Sequence, residues 1–244
     1  MINTRHLVSR QRFYDALAPI HHELYLNWRN FCRWQYEKLL TYLALTDSRD
    51  VLDASCSIGT QAIELAIENH RVTAIDISAI ALDRARENLA REGVHERVNF
   101  VLADFLNEET LPDHEYDRIL LLDNAISHAT DTQSRERALR ALRARLRIGG
   151  LALFGIRDYD QALISRPTTT APAFYDTLDG RRIVHQVWDW GKDDVYEFHL
   201  HIVRCGLETN SASHLSAFYR ASSAAQLKSA MIEVGFADVK TTSP

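Results

Sequence analysis

The chemistry-bearing residues of this chain stand at the ends of short apolar runs. Val51-Leu52 leads into Asp53, then a turn of small residues, Ala54-Ser55-Cys56-Ser57-Ile58-Gly59, leads on into Thr60-Gln61-Ala62. A buried strand, an acid at its carboxyl end, a small-residue turn and a helix start form the crevice where doubly wound sheets bind nucleoside ligands. Small side chains there let a ligand approach the backbone, and a dinucleotide would lay its pyrophosphate on the helix N-terminus. Asp53 speaks against a pyrophosphate, because a carboxylate beside two phosphate charges costs Coulomb energy in a partly desolvated cleft. A ligand with an ammonium and a sulfonium would be attracted instead, and S-adenosylmethionine carries both. Asp76, followed by Ile77, ends a second apolar run and could accept from both ribose hydroxyls. Asp104 ends a third in Leu102-Ala103-Asp104-Phe105, in place for the adenine amino group. Strand ends also attract polar residues as helix caps. Three acids at three successive strand ends nevertheless line one edge of one sheet.

The elements that must position these acids follow from periodicity. Strands are expected at 50–54, 71–75, 98–102, 116–122 and 151–156, with helices at 60–69, 79–91 and 134–146. That alternation implies an α/β fold with a doubly wound, mostly parallel sheet. Before it, residues 13–45 are rich in aromatics and helix formers and should make two helices joined near 27–30, an N-terminal lid over residues 1–46. The cofactor-binding core then runs over 47–160. After Tyr159 three strand-like runs, 182–190, 195–205 and 214–220, follow without a helix between them, so 161–221 should be an inserted antiparallel cap. Residues 222–244 should return to the core as a helix ending at Gly235 and a strand over 236–241.

Composition narrows the function. The 244 residues fit one large α/β domain or two small ones, and 46% hydrophobic with 25% charged residues excludes disorder and fibrous repeats. Lys and Arg number 28 against 33 Asp and Glu, so the net charge of −5 repels nucleic acid. The six arginines from Arg135 to Arg147 spread over the polar faces of one amphipathic helix. No apolar signal region and no run of roughly eighteen apolar residues occurs, which leads us to expect a cytoplasmic protein without a membrane partner. Cys32, Cys56 and Cys205 are scattered and read as reduced thiols. The adjacent His21 and His22 point to different helix faces, so no metal site is expected.

With these residues in view, the chain resembles the class I S-adenosylmethionine-dependent methyltransferases, most of all the glycine and sarcosine N-methyltransferase group and its small-molecule relatives. The resemblance is carried by the turn from Asp53 through Ser55 and Ser57 to Gly59, by Asp123-Asn124-Ala125-Ile126-Ser127-His128, by Arg147-Ile148-Gly149-Gly150, and by Arg157-Asp158-Tyr159-Asp160. It implies S-adenosylmethionine as methyl donor, S-adenosylhomocysteine as product, and cofactor contacts from Asp123, Asn124 and His128 besides the three strand-end regions. It further implies that Arg157 holds an acceptor carboxylate, the alternative being a pair with Asp158 or Asp160. Tyr14, Tyr25 and Trp28 of the lid, Tyr159, and Trp188 of the cap are the candidate acceptor walls. His128 and Tyr14 are the candidates for proton handling. Core packing is the expected role of Trp34 and Tyr36. Two departures stand out. The family usually has glycine at position 57, where a serine crowds the methionine end of the cofactor and fits if its φ is negative. The family also adds a last antiparallel strand where this chain ends. The expected activity is N-methylation of a small molecule, either an amino acid or a ring nitrogen of a heterocyclic metabolite. O-methylation of a small phenol or acid, and cofactor binding without catalysis, are the alternatives. Monomer and homo-oligomer are both open.

Overall fold

The computed structural model describes residues 4–45, 47 and 49–242. Its first helix, α1 (Thr4–Leu17), stops where Pro19 forces a 3-10 turn over Ala18–Leu24. Helix α2 (Trp28–Leu43) starts at Asn27, whose side chain accepts from the Asn30 backbone, and ends at Ala44 in the left-handed region. The buried Arg118 donates to the carbonyl of Leu43, satisfying an orphan acceptor of that helix end.

The alternating part follows in the expected order: β1 (Asp50–Asp53), α3 (Ala62–Ile67), β2 (Arg71–Asp76), α4 (Ala79–Arg91), β3 (Val98–Leu102), β4 (Tyr116–Leu121), α5 (Thr132–Ala144) and β5 (Leu146–Phe154). The five strands pair in parallel in the order β3-β2-β1-β4-β5. Their side chains alternate between two cores. Leu52, Ile75, Ile119 and Leu121 pack with α5 and the later helix α7 (Ala224–Glu233), while Val51, Val72, Ala74 and Leu120 pack with α2, α3 and α4. Burial on both faces explains why these runs are continuously apolar.

After α6 (Tyr159–Ser165), strands β6 (Ala173–Thr177), β7 (Gly180–Trp190), β8 (Val195–Gly206) and β9 (Asn210–Arg220) form a separate antiparallel sheet in sequence order. Strand β6 had no clear signal because it is short and follows a Pro/Thr-rich stretch. The inner face of this sheet carries Val184, Trp188, Tyr196, Phe198, Leu200 and Tyr219, and Phe13 and Leu17 of α1 pack on it. The lid helix is thus built into the cap.

One expected element is missing. Residues 236–241 form no strand: Phe236 anchors on Phe154, but Asp238 has a φ of 52°, which breaks any extended run. The chain returns to the parallel core through α7 alone. Trp34 is a second correction, because it lies 47% exposed on the outer side of α2, beneath the Lys38 ammonium, instead of in the core. Among the described residues no helix is long and apolar enough to cross a membrane.

Candidate active site

The carboxyl ends of β1 to β5 converge on one edge, where a cavity of about 700 Å³ opens between the parallel sheet, α1 and the inner face of the cap. Asp76 closes β2 and is buried. Its Oδ2 accepts from the Ser57 backbone and its Oδ1 from the Ser78 backbone, each at 2.9 Å. These bonds fix the turn after β1 against the end of β2. Asp53 lies beneath the turn, almost fully buried, and its Oδ2 has no hydrogen-bond partner. Burial pushes Asp53 up to about 8, reinforced by the nearby Asp123 and Asp76, and burial pushes Asp76 up to about 6. Asp123 is raised by burial as well, against hydrogen bonds from Gln61 and Gln35. Asp76 and Asp123 line one end of the cavity, Asp53 lies buried under the turn outside the lining where it was expected to touch the cofactor, and Arg10 is the cation that acts on Asp76. That set fits a ligand bringing positive charge and hydrogen-bond donors, as S-adenosylmethionine does, and disfavours a pyrophosphate.

Three residues at this edge have left-handed backbone. Ser57, Asp123 and Asn124 have φ of 47°, 51° and 68°. Asn124 is held in that conformation by bonds from its backbone to the Gly155 carbonyl and from its side chain to the Tyr159 hydroxyl. The condition for a relaxed serine at position 57, a negative φ, is not met. Its hydroxyl, far from merely crowding the turn, pairs with His21 Nδ1 at 2.8 Å.

At the other end of the cavity Tyr14 donates to His128 Nε2 at 2.7 Å, while His128 Nδ1 donates to the Phe218 carbonyl. Burial, with the Arg10 guanidinium, holds His128 well below the usual imidazole range, so its Nε2 keeps a lone pair at neutral pH. Burial likewise raises the Tyr14 phenol. Arg157 enters the cavity from the residues after β5. Its guanidinium lies 5.0, 4.9 and 5.8 Å from the ring centroids of Trp188, Phe198 and Tyr219 and donates to Gln186 Oε1 at 2.7 Å. Neither acidic neighbour claims it: Asp158 caps α6, and Asp160 accepts from the backbone of Ala224. Among the described residues no carboxylate pairs with Arg157.

The structure brings most of the residues singled out in the sequence to this cavity. Ser55, Ser57, Asp76, Ile77, Ala103, Asp104, Phe105, Asp123, Asn124 and His128 line it on the sheet side, with Tyr14, Tyr25 and Arg157 opposite. Several stand elsewhere. A Cβ on Gly59 would meet Leu89 Cδ1 at 2.9 Å, so this glycine serves the close packing of α4. Trp28 donates to Thr60 outside the lining, Tyr159 is buried against Asn124 and Tyr196, and Trp188 lies behind Arg157, stacked on Tyr196. Asp104 is not open to a ligand as expected, because Arg10 pairs with it and lies over the Phe105 ring. Sequence reading missed Arg10, Phe13, Leu17 and His21, although the first three share a helical face with Tyr14 by their spacing. It also missed Gln186 and Phe198, whose proximity depends on cap register.

Residues 51–150 match a family described as a methyltransferase domain. Over 188 residues, 76% of this chain, the sequence is 30% identical to the 27-O-demethylrifamycin SV methyltransferase of Amycolatopsis mediterranei, of which it spans 64%. Over 140 residues, 51% of this chain, it is 30% identical to glycine N-methyltransferase of Oryctolagus cuniculus, of which it spans 46%. The chain therefore spans less than two thirds of these curated relatives. Among solved structures, an S-adenosylmethionine-dependent methyltransferase from Clostridium acetobutylicum superimposes with a TM-score of 0.68 at 16% identity, covering 92% of this chain and 87% of the other. That likeness is one of fold.

Proposed function

We propose that this chain, a class I S-adenosylmethionine-dependent methyltransferase by its residues 51–150 and its fold, methylates a nitrogen of a small acceptor that carries a carboxylate. One observation supports this reading of the acceptor above others: Arg157 faces the cavity, half-buried among aromatic rings and, among the described residues, without an acidic partner. A planar guanidinium in that setting suits a carboxylate through parallel hydrogen bonds. A neutral ring would instead call for Trp188 as a stacking wall, and Trp188 is buried behind the arginine.

S-adenosylmethionine, when bound, supplies an electrophilic methyl group on a sulfonium. Asp76 would hold its ribose, and the acidic end of the cavity at Asp76 and Asp123 favours its positive charge. Arg157 would orient the acceptor, and His128 would take the proton its nitrogen must lose, through the Tyr14 hydroxyl that already donates to Nε2. Holding the nucleophile in line within the cavity supplies the rest of the rate.

The same Tyr14 and His128 pair would serve a hydroxyl acceptor, so O-methylation is the second reading. The names of the two relatives divide in the same way, one acting on an O-demethylated compound and one on glycine. Turnover on a panel of amino acids, their methyl esters and hydroxy acids, followed as S-adenosylhomocysteine release, tests both. Activity confined to amines with a free carboxylate supports the proposal, and equal activity on esters removes it. Cofactor binding without turnover on any of them would leave a binding module.

A further inference from the structure

The serine at position 57 is out of keeping with its own backbone. A φ of 47° is the left-handed region, where glycine is relaxed and a side chain costs roughly 1 kcal/mol. The hydroxyl that this strain retains has one bond, to His21 Nδ1. His21 comes from the 3-10 turn after α1, is 8% exposed and lines the cavity beside Tyr25. Among the described residues the Ser57 hydroxyl proton has no other acceptor, so the arrangement in which Ser57 donates to Nδ1 is the one that satisfies both groups. The proton of the neutral ring then sits on Nε2, which has no partner among the described residues. A buried imidazole whose Nδ1 is tied to Ser57 and whose Nε2 is unused among the described residues stands beside the turn that follows the first strand.

We infer that His21 is a cofactor-binding residue, oriented by Ser57, whose Nε2–H is the donor for the amino-acid carboxylate of S-adenosylmethionine. The inference rests on the cofactor reading above and concerns only the methionine end of the ligand. Three arguments carry it. The carboxylate is the one anionic group of that ligand, and the sheet side of this end offers the acids Asp76 and Asp123, which would repel it. Donors for the carboxylate must therefore come from the turn backbone or from the lid. Among the lid side chains lining the cavity, Arg10 is committed to Asp104, Tyr14 to His128 and Gln35 to Asp123, which leaves His21 and the Tyr25 hydroxyl, and of these two His21 is the one bonded to the turn. Burial and the neighbouring His22 keep the His21 ring neutral down to about pH 4, so with Nδ1 accepting from Ser57 it keeps an Nε2–H donor throughout the physiological range. The strained serine would then be kept because it aims the histidine.

The test compares two ligands on the full chain by calorimetric titration. S-adenosylhomocysteine carries the amino-acid end, whereas 5′-methylthioadenosine has the same nucleoside without it. His21→Phe keeps the ring and removes both nitrogens, and should weaken S-adenosylhomocysteine by about 10- to 100-fold, the loss of one hydrogen bond to a charged group, while leaving methylthioadenosine within twofold. Ser57→Gly relieves the backbone but frees the histidine, and should weaken S-adenosylhomocysteine about threefold to tenfold with the same selectivity. Equal loss of both ligands in His21→Phe would make the contact a purely structural clasp and overturn the inference. Unchanged S-adenosylhomocysteine affinity in either variant would also overturn it. Failure of the unaltered protein to bind either ligand would strike the cofactor reading itself, a different result.

Discussion

Replacing Arg157 by Lys examines the acceptor end most directly. The guanidinium carries five N–H donors and commits one, at 2.7 Å, to Gln186, leaving its other edge for two parallel bonds to a carboxylate. A lysine ammonium over the same rings keeps the charge and much of the cation–π attraction but reaches less far and offers no fork. The loss is then about one charge-assisted hydrogen bond, roughly 1.5–3 kcal/mol, or about tenfold to a hundredfold in kcat/KM. Misorientation of the nucleophile adds on the order of a further hundredfold, expressed in kcat. Arg157→Gln, which removes the charge as well, should be worse than Arg157→Lys. The assay is steady-state S-adenosylhomocysteine release with an active amino acid and with its methyl ester. The ester, unable to form the pair, should respond to neither substitution. A kcat/KM within twofold of the unaltered enzyme in Arg157→Lys, or equal losses for acid and ester, would refute the assignment of this side chain to the carboxylate.

Other predictions follow from the same geometry. Asp76→Ala should weaken S-adenosylhomocysteine binding by about 1–3 kcal/mol, measured calorimetrically, since two ribose hydrogen bonds go and the turn at Ser57 loses its anchor. Because burial raises Asp76 to about 6, cofactor affinity should fall as the pH drops below that value, where a protonated carboxyl accepts poorly; a flat profile from pH 5 to 8 would contradict this. Asp53 is raised to about 8, so between about pH 4 and 8 the folded chain holds a proton that the unfolded chain has released, and stability falls as pH rises. Asp53→Asn should therefore raise the melting temperature of the ligand-free chain at pH 8, with the gain vanishing near pH 4. Tyr14→Phe should lower kcat by about tenfold or more while KM changes little, because it breaks the proton path to His128 and leaves the aromatic packing on Phe13 intact.

The sequence alone was enough for the parallel core. Its strands are buried on both faces and so appear as uninterrupted apolar runs, separated by amphipathic helices that leave no competing period. It was also enough for the acids at the strand ends, since in a parallel sheet every carboxyl end faces the same edge, and order along the chain becomes proximity in space. Arg157 was legible for the same reason, standing just past β5. Local pattern could not decide what crosses that edge from the other side. Whether Arg157 pairs with its own neighbours or stands free depends on where β7 and β8 set Gln186, Trp188 and Phe198, a register fixed by cross-strand pairing. The approach of α1, which places Tyr14 on His128 and Arg10 on Asp104 across 114 and 94 residues of chain, depends on Phe13 and Leu17 finding the cap's inner face. Position 57 shows the division most sharply. Residue type marked a departure there, but the sign of a backbone angle and the arrival of His21 are properties of the packed molecule, and they turn an oversized side chain into a hydrogen-bonded one.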